Sequence, residues 1–313
     1  MLSVLFFILG FVALWKGGEY IVEGASAIAR RFSIPEIIIG LTLVSLGTSL
    51  PELVVNVIAS LKQESTIVFG NIVGSNISNT LLILGLTGII FPFKLVKLNI
   101  KKEIYLYCFI VLTLGLLLFL NQNQSHFILH FYTGLILIAF CLFAIWLFYQ
   151  QKEGIEAEDT GKSTPLSTSF IYFLAGCLLL PLGGHWVVGS AISLAELIGI
   201  SKSVISLFAI AIGTSLPELV TSVIAAKKQN SSIALGNILG SNIFNLSLIL
   251  GISVLISPIY VPLANQIDFL VLVYSSILLF LFPIILKTKY FNSLIYYILF
   301  VSYIIYIGFL FLR

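Results

Sequence analysis

Residues 47–85 read GTSLPELVVNVIASLKQESTIVFGNIVGSNISNTLLILG, and residues 213–251 read GTSLPELVTSVIAAKKQNSSIALGNILGSNIFNLSLILG. The two stretches align without a gap at an offset of 166 positions, and 27 of the 39 residues are identical. Chance does not produce such a match, so the chain is an internal duplication. Both copies lie in apolar sequence. The 313 residues are 59% hydrophobic and only 9% charged, against roughly 25% charged in an average soluble domain. Sixteen Lys/Arg and thirteen Asp/Glu cannot coat a water-soluble globule of this size, so lipid must solvate most of the surface. A cytosolic enzyme, a secreted domain and a disordered protein are excluded. The net charge of +3 gives no basis for a nucleic-acid partner.

At about 20 residues per spanning helix, apolar stretches separated by charges and turn residues give ten candidate spans. They cover 3–28, 36–60, 67–91, 103–121, 127–150, 167–190, 202–226, 232–257, 266–287 and 291–311. The polar stretch QQKEGIEAEDTGKSTPLS divides them into halves 1–150 and 167–313, joined by a linker at 151–166. With the N-terminus outside, the inner loops hold Arg30, Arg31, Lys94, Lys97, Lys101, Lys102, Lys152, Lys162, Lys227, Lys228, Lys287 and Lys289. Only Lys62, Lys202 and Arg313 then lie outside, a strong positive-inside bias. Both termini are therefore expected outside a cell membrane crossed many times, with the linker cytoplasmic. The first apolar run lacks the n-region and cleavage site of a signal peptide and reads as the first span. Five spans, an odd number, separate the two copies, so the second must enter the membrane upside-down. The expected fold is an all-α membrane protein of ten transmembrane helices in two inverted-topology five-helix repeats, an architecture of secondary transporters.

Each copy places Gly-Thr-Ser-Leu-Pro-Glu inside a span, at Gly47–Glu52 and Gly213–Glu218. Pro51 and Pro217 remove a helix donor and crowd the carbonyls behind them, loosening those of Gly47, Thr48, Gly213 and Thr214. Freed carbonyls within a membrane need a partner, and a bound cation is one. Thr48 and Glu52 stand i,i+4 on one face, as do Thr214 and Glu218. A carboxylate near the bilayer centre costs roughly 2.5–3.5 kcal/mol on insertion scales. No Lys or Arg lies within either motif to compensate Glu52 or Glu218. The second motif, Gly-Asn-Ile-x-Gly-Ser-Asn-Ile-x-Asn, covers 70–79 and 236–245. Gly70/Gly74 and Gly236/Gly240 allow close helix approach. Asn76/Asn79 and Asn242/Asn245 are i,i+3 pairs that place amide oxygens beside Ser75 and Ser241. Carboxylate, carbonyl, amide and hydroxyl are hard oxygens suited to calcium or sodium, and unsuited to zinc or copper.

Other polar residues carry less. Glu19 and His185 stand 166 apart and read first as structural contacts, Lys16 being placed to pair with Glu19. Glu153, Glu156, Glu158 and Asp159 read as a solvated linker. Cys108, Cys141 and Cys177 sit in apolar runs with no metal-type spacing and read as small buried hydrophobes. HExxH, Walker A and GxSxG sequences are absent, so the chain is not read as an enzyme.

The paired motifs resemble the cation/calcium exchanger superfamily, whose two alpha repeats carry this G-T-S-x-P-E and G-S-N-x-x-N grammar. The resemblance implies a monomeric antiporter exchanging calcium for sodium, in which spans one and six slide against a core of eight helices. It places calcium on the Glu52 and Glu218 carboxylates with the Thr48 and Thr214 carbonyls. Flanking sodium positions would use Ser45, Ser49, Ser75, Asn79, Ala211, Ser215 and Ser241. No resident cofactor is implied, calcium and sodium being cargo. Many sodium-coupled members have Asp where Asn245 stands, and proton-coupled members tend to have amides there. A proton/calcium antiporter using Glu52 and Glu218 is thus the alternative, and a cation channel a more distant one. The linker is too short for calcium-sensing domains like those of the large animal exchangers.

Overall fold

A computed structural model describes residues 2–93, 100–121, 126–150, 165–197, 213–262, 265–285 and 292–312. Ala211, most of the linker and the first part of the span expected at 202–226 lie outside these residues. Helix α1 (Leu2–Arg31) is continuous, but the next apolar stretch is broken. It runs as α2 (Glu36–Ile39), a π-helical turn (Gly40–Val44), α3 (Ser45–Thr48) and α4 (Leu50–Leu61). Helix α5 (Ser65–Ile77) passes through a π turn (Ser78–Ile83) into α6 (Leu84–Ile90). Then come α7 (Lys101–Leu120), α8 (Phe131–Gln150) and α9 (Leu166–Leu197). The second copy shows α10 (Leu216–Lys227), α11 (Ser231–Phe244), a π turn (Asn245–Ile249) and α12 (Leu250–Ile256). Helices α13 (Gln266–Ile285) and α14 (Asn292–Leu312) end the chain.

Six described helices are long and apolar enough to cross a membrane: Leu2–Arg31, Ser65–Ile90, Lys101–Leu120, Phe131–Gln150, Leu166–Leu194 and Ser231–Ile256. The pair Glu36–Thr48 and Leu50–Leu61, bent by 48°, makes a seventh if counted as one span. The surface supports the lipid assignment. Leu2, Leu112, Phe119, Leu178 and Ile305 are exposed, whereas Glu52, Glu218, Asn79 and Asn245 are buried. This inverts the usual distribution of a soluble protein.

The span expected from 127 starts four residues later, at Phe131. Residues His126–Leu129 are instead strand β1, paired antiparallel with β2 (Ile259–Pro262), with Leu129 opposite Ile259. The β-branched and aromatic run Ile-Tyr-Val between Pro258 and Pro262 favours extension, and β1 follows its partner.

The duplication is visible in matching turns. Gln63 and Gln229 both adopt a left-handed φ, 61° and 60°. The Glu64 N–H reaches the Ala59 carbonyl at 2.9 Å and the Asn230 N–H reaches that of Ala225 at 2.9 Å. Both are Schellman caps ending α4 and α10. Asn230 does more than its counterpart Glu64. Its Oδ1 accepts the Ile233 N–H at 3.0 Å and its Nδ2 donates to Glu36 Oε2 at 2.8 Å. Nearby, Lys228 Nζ pairs with Glu23 Oε1 at 2.7 Å, fastening α1 to the same turn.

Helices α1 and α9 pack closely along glycines. A Cβ on Gly183 would stand 2.7 Å from the Leu14 nitrogen and 2.8 Å from the Gly10 carbonyl oxygen. One on Gly24 would stand 2.7 Å from the Ser169 carbonyl oxygen. Gly10 and Gly17 stand 166 positions before Gly176 and Gly183, so the duplication extends into this interface. Backbone cannot yield as a side chain can, and overpacking of this kind costs roughly 1–3 kcal/mol. Gly183→Val should therefore lower the melting temperature in detergent by several degrees. Gly308→Ala, where an added Cβ meets nothing, should leave it at or above wild type. Equal melting of the two variants would contradict this interface.

Candidate ion-binding site

The first copy breaks its helix at the serine of the first motif, and in the second copy α10 starts directly after the equivalent serine. Ser49 has φ −88° and ψ 8° between α3 and α4, and Ser215 has φ −86° and ψ 1° before α10. Pro51 and Pro217 occupy the first turn of the following helix, where a missing N–H is tolerated. Across the first break the Ser49 N–H reaches the Ser45 carbonyl at 3.0 Å and the Leu53 N–H reaches that of Ser49 at 3.1 Å. Among the described residues no main-chain donor crosses the break to the Thr48 carbonyl, as the sequence leads one to expect.

Glu52 and Glu218 lie in the first turns of α4 and α10, and neither has exposed surface. Glu218 Oε1 accepts the Ser49 hydroxyl at 2.9 Å. Its Oε2 and both Glu52 carboxylate oxygens have no hydrogen-bond partner among the described residues. The ion pairs described are Lys16–Glu19, Arg30–Glu36 and Lys228–Glu23, and none touches these carboxylates. A helix N-terminus favours an anion by about 0.3–1 kcal/mol, well below the several kcal/mol of desolvating one. A buried carboxylate needs a proton or a cation, and the surroundings supply oxygen ligands.

The predicted residues meet across the two copies. Ser49 Oγ lies 3.0 Å from Ser241 Oγ, joining Ser49, Glu218 and Ser241 in one cluster. Ser75 Oγ lies 3.3 Å from Thr214 Oγ1. Asn79 and Asn245 lie in the π turns of their copies, buried, with both amide atoms unpaired among the described residues. Turns of this kind often mark functional sites in helices. Ser215 Oγ is likewise buried and unpaired. Ser45 donates to the Leu41 carbonyl at 2.8 Å and abuts Gly240, where a Cβ would stand 2.5 Å from Ser45 Oγ. Gly236 approaches Gly40 as closely, so the second small-residue face brings α11 against the segment leading into the break.

Other residues go elsewhere. The Asn76 amide donates to its own helix at the Ile72 carbonyl, and the Asn242 amide donates to Thr80. Glu19 pairs with Lys16 at 2.8 Å and with the Trp15 indole at 2.9 Å. His185 instead lines a cleft of about 310 Å³ with Pro181, Pro51, Thr214 and Pro217, reaching both prolines that follow the breaks. Asn71 and Asn237 join the site without having been singled out. Thr214 Oγ1 donates to Asn71 Oδ1 at 3.0 Å, and Thr48 Oγ1 donates to Asn237 Oδ1 at 2.9 Å. Their presence at the same place in both copies of the Gly-Asn-Ile motif was the available signal.

No group of three or more His, Cys, Asp or Glu occurs among the described residues, so a transition metal finds no ligand set there. Two carboxylates among hydroxyls, amides and freed carbonyls suit a hard cation. The family model described as sodium/calcium exchanger protein matches residues 2–150 and 168–312. Inner membrane protein YrbG of Escherichia coli is 35% identical over 295 residues, covering 89% of this chain and 87% of its own. The sodium/calcium exchanger MaX1 of Methanosarcina acetivorans is 33% identical over 300 residues, covering 83% of this chain and 84% of its own. A solved structure of the sodium-calcium exchanger NCX_Mj, soaked with 10 mM Na+ and zero Ca2+, matches with a TM-score of 0.83 at 31% identity, covering 98% of each chain. With nearly its whole length thus matched, the chain belongs to the sodium/calcium exchanger family of membrane antiporters.

Proposed function

We propose that this protein exports calcium in exchange for sodium, three sodium ions per calcium, through a site shared by the two copies. The observation that carries the reading is the pair of buried carboxylates, Glu52 and Glu218, without a cationic side chain among the described residues. Together they balance the charge of calcium. The carbonyls of Thr48 and Thr214 complete its shell. Ser45, Ser49, Ser75, Asn79, Ala211, Ser215, Ser241 and Asn245 serve the sodium ions. Because both carboxylates come from one chain, a monomer suffices.

Ten spans in two inverted halves suit this mechanism. Paired strands lie on one side of a membrane, so an even number of crossings separates Leu129 from Ile259. Helix α8, helix α9 and the span through α11 and α12 supply three. The stretch read at 202–226, of which α10 is the described part, is taken as the fourth. The positive-inside bias puts the termini outside and the 151–166 linker in the cytoplasm. Arg30 and Lys228, both expected inside, line one cleft, in keeping with that orientation. Helices α1 and α9, closely joined along their glycines, are the pair that slides.

Energetics favour three sodium ions. Exporting calcium against a ~10⁴-fold gradient and ~100 mV requires about 10 kcal/mol. Each sodium entering down a ~10-fold gradient and that potential returns about 3.7 kcal/mol, so two fall short and three suffice. Three sodium ions exchanged for one calcium carry one net positive charge. Two protons on Glu52 and Glu218 would make the exchange neutral.

Calcium flux into proteoliposomes tests the reading. Glu52→Gln and Glu218→Gln should each reduce sodium-driven calcium uptake to background while purifying normally, since half the compensating charge is lost. Near-normal uptake by either variant would refute a shared site. Asn245→Asp adds a third carboxylate and should slow turnover or make it more pH-dependent. An unchanged rate and pH profile would place Asn245 outside the ion path. Setting the vesicle potential with potassium and valinomycin should change the rate of sodium-driven flux. Indifference to potential, or drive by a proton gradient alone, would contradict three-sodium coupling.

A further inference from the structure

We propose that Asn237 and Asn71 are positioning residues of the ion site, each clamping the broken turn of the opposite copy. The inference rests on the functional reading above. Asn237, on α11, has no exposed surface. Its Oδ1 accepts the Thr48 hydroxyl at 2.9 Å, while its Nδ2 donates to Ser222 Oγ at 3.0 Å and to the Glu218 carbonyl at 3.3 Å. One amide thus ties the end of α3, in the first copy, to the helix carrying the carboxylate of the second.

Asn71, on α5, repeats the first half of this arrangement by accepting the Thr214 hydroxyl at 3.0 Å. Its own Nδ2 is buried and unpaired among the described residues. The residue corresponding to Ser222 in the first copy is Asn56, whose amide donates to the Glu52 carbonyl at 2.7 Å and whose Oδ1 is unpaired. In both copies, then, an asparagine amide holds the main-chain carbonyl of the site glutamate. The clamps are unequal. The Asn237 clamp is complete, whereas the Asn71 clamp lacks its second arm and holds Thr214, which lines the open cleft.

The threonine hydroxyl has a single proton, and at Thr48 the Asn237 oxygen at 2.9 Å is a closer acceptor than the Ser45 carbonyl at 3.2 Å. This fixes the side chain and, through it, the turn whose carbonyl is offered to the ion. Removing the asparagine leaves the site charge unchanged but frees that turn. The effect should fall on ion affinity, with the charge that drives coupling intact.

The test is a double-mutant cycle on sodium-driven calcium uptake, comparing wild type, Asn237→Ala, Thr48→Val and the double variant. A net hydrogen bond of about 0.5–1.5 kcal/mol corresponds to roughly 2–10-fold in affinity. Asn237→Ala should raise the calcium KM by about that factor with kcat within about twofold, and the double variant should be no worse than the poorer single one. Asn71→Ala with Thr214→Val gives the same cycle in the open half, with a smaller increase, and serves if Asn237→Ala does not fold. An unchanged KM in the variants, or effects that multiply in the double variants, would overturn the clamp. Absence of sodium-driven uptake by wild type would instead overturn the functional reading.

Discussion

Two buried carboxylates without a basic partner among the described residues set the terms for the rest of this structure. Each costs roughly 2.5–3.5 kcal/mol at the bilayer centre on insertion scales. Neither helix dipoles nor the Ser49 hydroxyl at Glu218 offsets that cost. A permanent lysine or arginine would offset it but would also occupy the site. A mobile cation compensates the charge only while it is bound, and this makes the pair suited to exchange.

On the proposed reading, the surrounding chain keeps such a site open to ions while satisfying its own backbone. Pro51 and Pro217 lie in the first turns of α4 and α10, where a missing N–H is least harmful. Close glycine contacts bring α11 onto the segment that leads into the first break. Each threonine is bonded to an asparagine of the other copy, so neither copy completes its half alone. Duplication resolves a problem of charge as well as shape, because one carboxylate balances only half of a divalent ion.

Much of this was legible in the sequence, and the reason is local. Gly-Thr-Ser-Leu-Pro-Glu breaks a helix by its own covalent chemistry, so the interruption at Ser49 could be placed without tertiary information. Long apolar runs gave α1, α7 and the span through α11 and α12 in the same way. What escaped depends on partners distant in sequence. The β1 strand was read as the start of a span because Phe127, Ile128 and Leu129 are apolar, and only β2 reveals them as extended. Asn76 and Asn242 were grouped with Asn79 and Asn245 by helical spacing, yet their amides turn to Ile72 and Thr80. Asn71 and Asn237 were passed over because their repetition in the Gly-Asn-Ile motif does not reveal which residue each one bonds. Their partners, Thr214 and Thr48, are more than a hundred residues away.

The central claim is that one calcium ion is held between Glu52 and Glu218. Anomalous diffraction from crystals of the wild-type protein equilibrated with calcium, or with strontium as its heavier analogue, tests it most directly. The account predicts a strong peak about 2.3–2.6 Å from oxygens of both carboxylates, at a distance typical of calcium. A peak bound to only one glutamate, or at another place in the chain with none between these two, would contradict it.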